Sequence, residues 1–383
     1  MRVQRVQLNN EQDISFELLD ENNFPIPVVS GFMRHLRARG CSPNTLSAYC
    51  FDLLHFMTFL QEQGLTYQEF RPPHALLFLE YLSVLPSRRQ AHRLALVLST
   101  TTDAGTSTTR LSPASINRIL AAVSSFYEYL ILSDQFSACE NPIQKVDDPA
   151  YVRVLDRHRP FMGRASRQRP MRRTVRVKTV QRVPRPLGDD QINKLLASLH
   201  LKRDKAMLLL MLHGGLRPGE VLCLQLSDLQ YGRKRVIIRY RTEHPKGART
   251  KSRTERVVDL HQPETLQTVS DYVMHERPTD AESPYVFLVG GRGKRRCEPL
   301  SYHALVKLFE RHCDQLGIRA PWVTPHALRH THATRMWEGG MRELALMRRL
   351  GHTSPESTRI YTQVSDPTVV AEYRQALGEE ETK

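Results

Sequence analysis

Six side chains in the second half of the chain have the types needed for chemistry on a phosphodiester bond. Each alone has an ordinary structural explanation, because exposed arginines, histidine–arginine pairs on one helix face and buried tyrosines are common in proteins. Their combination and their order are more informative than any single residue. They lie in the segments GLRPGE, RTKSRTER, TPHALRH and LGHTSPESTRIY, and they are Arg217, Lys251, His326, Arg329, His352 and Tyr361.

Attack on a phosphodiester needs a nucleophile, positive charge on the non-bridging oxygens, and a proton donor for the leaving 5′ hydroxyl. Two arginines, Arg217 and Arg329, can clamp the phosphate oxygens with paired hydrogen bonds. A tyrosine nucleophile such as Tyr361 would form a covalent phosphotyrosyl ester that conserves the energy of the broken bond. The set therefore predicts strand cleavage and rejoining without a nucleotide cofactor or a metal ion.

These motifs resemble those of the tyrosine recombinase (phage integrase) family. The spacing agrees, since Tyr361 follows His352 by nine positions, and the segments SPNTLSAY and ASINRILAAVSSFYEYL resemble the family's core-binding domain. The resemblance implies that Arg217 and Arg329 hold the scissile phosphate, to which His352 donates a hydrogen bond. It also implies that His326 assists proton transfer around the nucleophile, which would be Tyr361.

The general acid that the resemblance implies is Lys251. It lies seven residues before Val258, as the family's lysine precedes a Val-Pro-Leu motif, although Asp259 replaces the proline here. Lys246 is the alternative. Glu220, three residues after the first arginine, matches an acidic residue that supports that arginine in the family.

The elements that must position these residues follow from the hydrophobic pattern. Ser42-Pro43 and Ser112-Pro113 each place an N-cap residue before a first-turn proline, and apolar residues then recur at three- and four-residue spacings. With PVVSGFMRHLRARG and PHALLFLEYL they predict a four-helix bundle whose aromatic residues are core. Residues 234–260 alternate β-branched and charged residues around HPKGARTKS, which predicts an antiparallel hairpin.

A strongly basic segment separates the two halves. Residues 153–185 contain twelve lysines and arginines, one acidic residue (Asp156) and three prolines, with a fourth at Pro186, and they lack apolar periodicity. We expect an extended connector that buries no core, and arginine at this density favours a strand along DNA phosphates over a merely solvated linker. The DNA contacts predicted from the connector and the hairpin are Arg172, Arg173, Arg176, Lys178, Lys246, Arg249 and Arg253; the hairpin's other charges, Arg256 included, are expected at phosphates or in solvent.

The expected fold class is mainly α with a small antiparallel β-sheet (α+β). The predicted divisions are an N-terminal extension that forms a hairpin or an arm, a helical SAM-like core-binding domain, a basic linker, a catalytic domain and a C-terminal tail. Their ranges are 1–25, 26–148, 149–186, 187–365 and 366–383.

Composition narrows the function classes. A formal net charge of +15 predicts a polyanionic partner. No apolar run is long enough for a membrane span, and the N-terminus lacks the apolar core of a signal peptide, so we expect a cytoplasmic protein. The six scattered cysteines form no CxxC pair and are expected to be thiols, not disulfides or zinc ligands.

The resemblance implies that the protein is a recombinase that binds a specific double-stranded DNA site. Four protomers would exchange four strands, the bundle and the catalytic domain would clamp opposite faces of a duplex, and accessory proteins are possible. Three alternatives stay open: a histidine metallohydrolase, a DNA-binding protein without catalysis, and a type IB topoisomerase-like relaxase.

Overall fold

A computed structural model describes residues 1–7, 14–87, 110–138, 140–147, 171–179, 185–352, 356–359 and 373. The chain divides into two compact units, an N-terminal unit of Met1–Val180 and a C-terminal unit of Gln181–Lys383. Both are mainly helical with small antiparallel sheets, so the predicted fold class is confirmed. Within the described residues, no helix is both long and apolar enough to cross a membrane.

Helices at the predicted positions form the bulk of the N-terminal unit. Ser42 and Ser112 each accept a hydrogen bond at 3.2 Å from the backbone N–H three residues on, and a proline follows each of them. This N-capping satisfies donors that a helix start otherwise leaves unpaired. In the described part of this unit the helices are α1 (Pro27–Ala38), α2 (Pro43–Glu62), α3 (Pro72–Val84) and α4 (Pro113–Leu132).

The core of this unit is aromatic, as expected. Phe56 packs edge-on against Phe70, with ring centroids 5.0 Å apart, and Tyr127 stacks on Phe70 at 5.6 Å. The Tyr127 hydroxyl donates to the Tyr67 carbonyl at 2.9 Å, which satisfies its only polar group inside the core. These rings therefore hold the bundle together and are not available for base stacking.

The first residues form a hairpin, one of the two predicted alternatives. Strand β1 (Arg2–Gln7) pairs antiparallel with β2 (Ile14–Leu19), in register Arg2↔Leu19. Leu18 is fully buried in the bundle core. The inner strand thereby fastens the hairpin to the helices.

The connector differs from expectation in its last part. Strand β3 (Lys145–Asp147) pairs antiparallel with β4 (Met171–Arg173). Val175 is buried, and the Asn117 side chain exchanges two 2.9 Å hydrogen bonds with the Val177 backbone. The prediction that this segment buries no core is therefore wrong for 171–179, because TVRVK alternates apolar and polar residues and turns one face inward. Residues 148–170 and 180–184 lie outside the described residues, and the predicted domain boundaries stay predictions.

Helices also make up most of the described part of the C-terminal unit. They pack around a buried core that includes Met207, Leu210, Val258 and Phe309. In the described residues they are α5 (Asp189–Ala197), α6 (Lys202–Gly214), α7 (Pro218–Leu222), α8 (Pro263–Asp271), α9 (Tyr302–Gln315), α10 (Pro325–Glu338), α11 (Glu343–Leu350) and α12 (Glu356–Arg359).

The predicted antiparallel hairpin of this unit is confirmed. Strand β6 (Arg235–Ile238) pairs with β7 (Arg256–Asp259), and a short strand, β5 (Leu229–Gln230), adds to the free edge of β6. Arg241, just past β6, donates to both Asp228 carboxylate oxygens at 2.6 and 2.9 Å. This buried pair anchors the base of the loop that carries Lys251.

Candidate active site

A glycine turn places the first arginine. Helix α6 ends at Gly214, and Gly215 has a φ of 63°. A Cβ at Gly215 would lie 2.5 Å from Cδ2 of His332, so both the backbone and the available space require glycine. The turn leaves Arg217 as the N-cap residue of α7.

Glu220 joins two arginines in a buried network. Its carboxylate accepts from the Arg217 backbone at 2.9 Å and from Arg217 Nη1 at 2.8 Å. Arg256 binds the same carboxylate with both terminal nitrogens, at 3.0 and 2.7 Å. Burial would raise the pKa of Glu220, but the hydrogen bonds and charge of Arg256, followed by the charges of Arg217 and Arg329, lower that pKa to about 2. Glu220 is therefore ionised at neutral pH.

The second predicted arginine, Arg329, is buried on α10. It donates to the carbonyl of Gly215 and, at 2.7 Å, to the carbonyl of Leu350. The same guanidinium lies 3.0 Å from Nε2 of His352 and 3.9 Å from the Glu220 carboxylate. Arg217 reaches this region as well, because its Nη2 donates to the Gly351 carbonyl at 3.2 Å. The structure thus brings Arg217, Arg329 and His352 together.

His352 is held as a neutral ring. Arginine can only donate, so Nε2 accepts from Arg329 and Nδ1 carries the proton, which it donates to Thr358 Oγ1 at 2.9 Å. Burial and then the charges of Arg329, Arg217 and Arg256 lower the pKa of His352 to about 3. Thr358 is on α12, three residues before Tyr361 in the sequence. Tyr361 itself lies outside the described residues.

The two candidate lysines have different surroundings. Lys251 is exposed, and its charge is one of those that lower the pKa of His326 to about 4, after burial and the charges of His330 and Arg329. Lys246 forms an ion pair of 2.7 Å with Glu298. Its charge contributes to the low pKa of His244, about 4, for which burial is the larger cause. The charge of Lys251 thus lowers the pKa of His326, one of the predicted catalytic residues. The charge of Lys246 is instead paired with Glu298.

The chemistry that this arrangement supports is anion binding. Three guanidinium groups, those of Arg217, Arg256 and Arg329, surround a single carboxylate, Glu220. An anion bound beside them would relieve the excess positive charge, and its attraction would be strong where water is excluded. The Arg217 side chain keeps 18% of its surface exposed, against 4% for Arg329, so solvent reaches the cluster from the Arg217 side.

Arg256 lies in surroundings that differ from the sequence prediction. It is buried against Glu220, so the expectation of phosphate contact or solvent is wrong for this residue. A signal was present in β7, whose residues alternate buried and exposed. Arg256 shares the inward face with Val258, two positions later, as the period of a strand requires.

A second supporting network was also missed. Arg349 on α11 donates to Nε2 of His332 at 3.0 Å and to the carbonyls of His213 and Asp259 at 3.0 and 3.2 Å. His332 in turn donates from Nδ1 to the Leu212 carbonyl at 2.9 Å. Burial, followed by the charge of Arg349, lowers the pKa of His332 to about 3. Arg349 therefore ties α11 to α6, α10 and the hairpin. The TPHALRHTH pattern does not indicate this supporting role of His332.

The residues predicted to contact DNA fall in both units. Arg172 and Arg173 are half-buried on β4, and Arg176 and Lys178 are exposed just after it. In the hairpin loop Arg253 is exposed, Lys246 is paired with Glu298, and Arg249 is half-buried, with its carbonyl 2.6 Å from where a Cβ on Gly219 would be. Their contact with DNA stays a prediction.

The alternative of a histidine metal centre finds no support in the described residues. No group of three His, Cys, Asp or Glu side chains among them is arranged to hold a metal ion. Both ring nitrogens of His332 are occupied by protein groups. All five described cysteines are free thiols, and Cys139 lies outside the described residues.

Comparison with known families gives two matches. Residues 185–367 match the model of the phage integrase family, and residues 29–133 match the model of the phage integrase N-terminal SAM-like domain. Transposase A from transposon Tn554 of Staphylococcus aureus is 28% identical over 388 residues, covering 100% of both chains. Tyrosine recombinase XerC of Chlamydia caviae is 27% identical over 352 residues, covering 89% of this chain and 95% of the relative.

Solved structures with the same fold include DNA complexes. The Tn1549 transposon integrase in complex with transposon right end DNA superposes with a TM-score of 0.57 at 18% identity, covering 91% of this chain and 98% of that one. XerH site-specific recombinase bound to a palindromic difH substrate gives a TM-score of 0.57 at 16% identity, covering 88% and 81%.

Proposed function

This chain belongs to the phage integrase family and is a tyrosine-type site-specific DNA recombinase; we propose that Arg217 and Arg329 bind the scissile phosphate for attack by Tyr361. The observation that carries this proposal is the convergence of Arg217, Arg329 and His352 at the Gly351 turn. Arg217 and Arg329 hold the two non-bridging oxygens. His352 hydrogen-bonds the phosphate in its other neutral tautomer, in which Nε2 carries the proton and Nδ1 accepts from the Thr358 hydroxyl. Guanidinium groups that are fixed beforehand need no rearrangement as charge builds up on phosphorus.

We propose Lys251 as the general acid. An ammonium group can protonate the leaving 5′ oxygen, and the electrostatic effect of Lys251 on His326 supports a place beside the cluster. The ion pair of Lys246 with Glu298 favours Lys251 over Lys246. His326, neutral at physiological pH, accepts the proton of Tyr361 as that oxygen attacks.

The proposed strand exchange has two balanced steps. The Tyr361 oxygen forms a bond to phosphorus while the bond to the 5′ oxygen breaks, leaving a 3′-phosphotyrosyl ester and a 5′ hydroxyl. A 5′ hydroxyl from the partner duplex then attacks the ester and releases the tyrosine. Because one phosphoester replaces another in each step, neither a cofactor nor an external energy source is needed.

The assembly is also part of the proposal. Exchange of four strands needs four nucleophiles, so we propose a tetramer on two copies of a specific DNA site, with the segment after Asp366 docking on a neighbouring protomer. The likeness to a Tn554 transposase supports a role in mobile-element movement. We propose that the protein acts in the cytoplasm, where it has access to that DNA.

A nicked substrate tests the proposal. Cleavage close to a nick releases a short 5′-hydroxyl strand that diffuses away, so the covalent adduct accumulates and can be measured on a denaturing gel. We expect Tyr361→Phe to form no adduct while binding DNA with unchanged affinity. Tyr302→Phe, which alters an exposed tyrosine on α9, should form the adduct like the unsubstituted enzyme. Adduct formation by Tyr361→Phe would exclude Tyr361 as the nucleophile.

A further inference from the structure

Arg256 connects three parts of the candidate active site. Its terminal nitrogens bind both Glu220 oxygens, and its Nε donates to the Arg349 carbonyl at 2.9 Å. Glu220 belongs to α7, whose N-cap residue is Arg217. Arg349 belongs to α11, which ends two residues before His352. Arg256 also begins strand β7, at the end of the loop that carries Lys251.

We propose that Arg256 is a positioning residue that fixes the phosphate-binding groups without touching the phosphate. This inference rests on the proposed function of the site. All three side-chain nitrogens of Arg256 are engaged by protein acceptors, and only 6% of the side chain is exposed. A planar guanidinium can grip both carboxylate oxygens at once, which sets the orientation of Glu220 and, through it, that of Arg217.

The turn before His352 is built around this side chain. Gly351 has a φ of 64°, and a Cβ there would lie 2.6 Å from Nη1 and 3.0 Å from Cζ of Arg256. The glycine therefore leaves room for the guanidinium directly beneath the backbone that presents His352. A shift of Arg256 would move the Gly351 carbonyl, to which Arg217 donates.

Removal of Arg256 should impair cleavage in a way that depends on the charge of the phosphate. On the nicked phosphodiester substrate we expect Arg256→Gln to form the adduct about 10- to 100-fold more slowly, because a displacement of positioned groups by about 1 Å can cost roughly 10²-fold in rate. Arg256→Lys should be impaired nearly as much, because lysine cannot bind two carboxylate oxygens in a fork.

A substrate with a neutral methylphosphonate at the scissile position separates positioning from general damage. This group lacks one charged oxygen and depends less on correctly placed arginines. We expect the ratio of unsubstituted to Arg256→Gln rates to shrink to within about 3-fold on this substrate. Arg233→Gln, which removes an exposed arginine in the same unit, should match the unsubstituted enzyme on both substrates.

Three results would contradict these proposals. Equal rates for Arg256→Gln and the unsubstituted enzyme on the phosphodiester, or equal losses on both substrates, would overturn the positioning role. The second result would mean that Arg256 only keeps the unit folded. No adduct from the unsubstituted enzyme on its own recombination site would overturn the proposed function, and the role of Arg256 with it.

Discussion

Glu220 lets several arginines share a small buried volume. Without a carboxylate between them, the guanidinium groups of Arg217, Arg256 and Arg329 would repel one another in surroundings that screen charge poorly. Loss of one partner from such a buried pair typically costs about 3–5 kcal/mol, because the other charge stays buried and unpaired. Glu220 thus couples the stability of the site to the orientation of the groups proposed to bind the phosphate.

The lysine assignment leads to a prediction at the residue scale. Replacing the bridging 5′ oxygen by sulfur gives a leaving group that departs without protonation, so loss of the general acid should matter only for the oxygen substrate. We expect Lys251→Met to form the adduct about 100-fold or more slowly on the oxygen substrate and to recover on the sulfur substrate. Single-turnover adduct formation on both substrates measures the effect.

Lys246→Met provides the comparison. It removes the same charge from the same loop but breaks the ion pair with Glu298, so it should behave alike on both substrates. Sulfur rescue of Lys246→Met, with none for Lys251→Met, would assign the general acid to Lys246 instead.

At the scale of elements, local signals predicted the helices and the hairpin well. Ser42 and Ser112 cap their helices as the Ser-Pro order indicates, because capping depends only on neighbouring residues. The docking of residues 171–179 was missed, because the charge of this segment obscured the alternation of Val175 and Val177. The residue types of the candidate site and their order could be predicted from the sequence. The pairing of Arg256 with Glu220 could not, because it joins positions 36 apart and no local pattern specifies such a contact.

Two glycines in the same left-handed conformation separate backbone strain from steric conflict. Gly351 and Gly317 have φ values of 64° and 65°, but a Cβ would meet Arg256 at Gly351 and nothing within 4 Å at Gly317. Alanine at either position should cost about 1–2 kcal/mol for the backbone conformation. We expect Gly351→Ala to lose a further ~1–3 kcal/mol from overpacking, and to cleave DNA more slowly.

Urea unfolding and adduct formation measure these two effects. Gly317→Ala should show the smaller loss of stability and an unchanged cleavage rate. Equal stability losses in the two variants would mean that Arg256 moves aside at no cost, and that its position is not tightly set.

At the scale of the whole molecule, charge governs the interaction with DNA. The chain carries a formal net charge of +15, and twelve of its basic residues lie within residues 153–185. Each phosphate contact releases counterions, so six to ten contacts would lower affinity by roughly 10³- to 10⁵-fold between 50 and 200 mM salt. Fluorescence anisotropy with labelled duplex at several salt concentrations measures this slope, and a flat response would contradict extensive phosphate contact.

The C-terminal unit should lose stability in mild acid. Burial is the main cause that lowers the pKa of His326 to about 4 and those of His332 and His352 to about 3, below the ordinary histidine value of 6.5. From pH 6.5 down to about 4 the unfolded state therefore binds more protons than the folded state. The free energy of unfolding falls by up to about 1.4 kcal/mol per pH unit for each such histidine.

The N-terminal unit should respond in the opposite direction. Asp52 is buried, its Oδ1 has no hydrogen-bond partner in the described residues, and burial raises its pKa to about 7 despite the opposing charge of Arg118. Between pH 7 and its ordinary value of 3.8, the folded state binds the extra proton. The contribution of Asp52 to stability is thus complete below pH 3.8 and lost as the pH rises through 7.

Both responses can be measured in one chain. The two tryptophans, Trp322 and Trp337, belong to the C-terminal unit, so urea titrations followed by their fluorescence report its unfolding. Hydrogen exchange of peptides from α2 and α4, corrected for the intrinsic rate at each pH, reports the stability of the N-terminal unit.

We expect the urea midpoint of the fluorescence transition to fall from pH 6.5 to 5, while the protection of α2 against exchange rises. Asp52→Asn should abolish the rise in α2 protection and leave the fluorescence trend unchanged, because it removes the carboxyl group whose raised pKa stabilises the N-terminal unit as the pH falls. If both units of the unsubstituted chain lost stability as the pH fell, burial would not raise the pKa of Asp52.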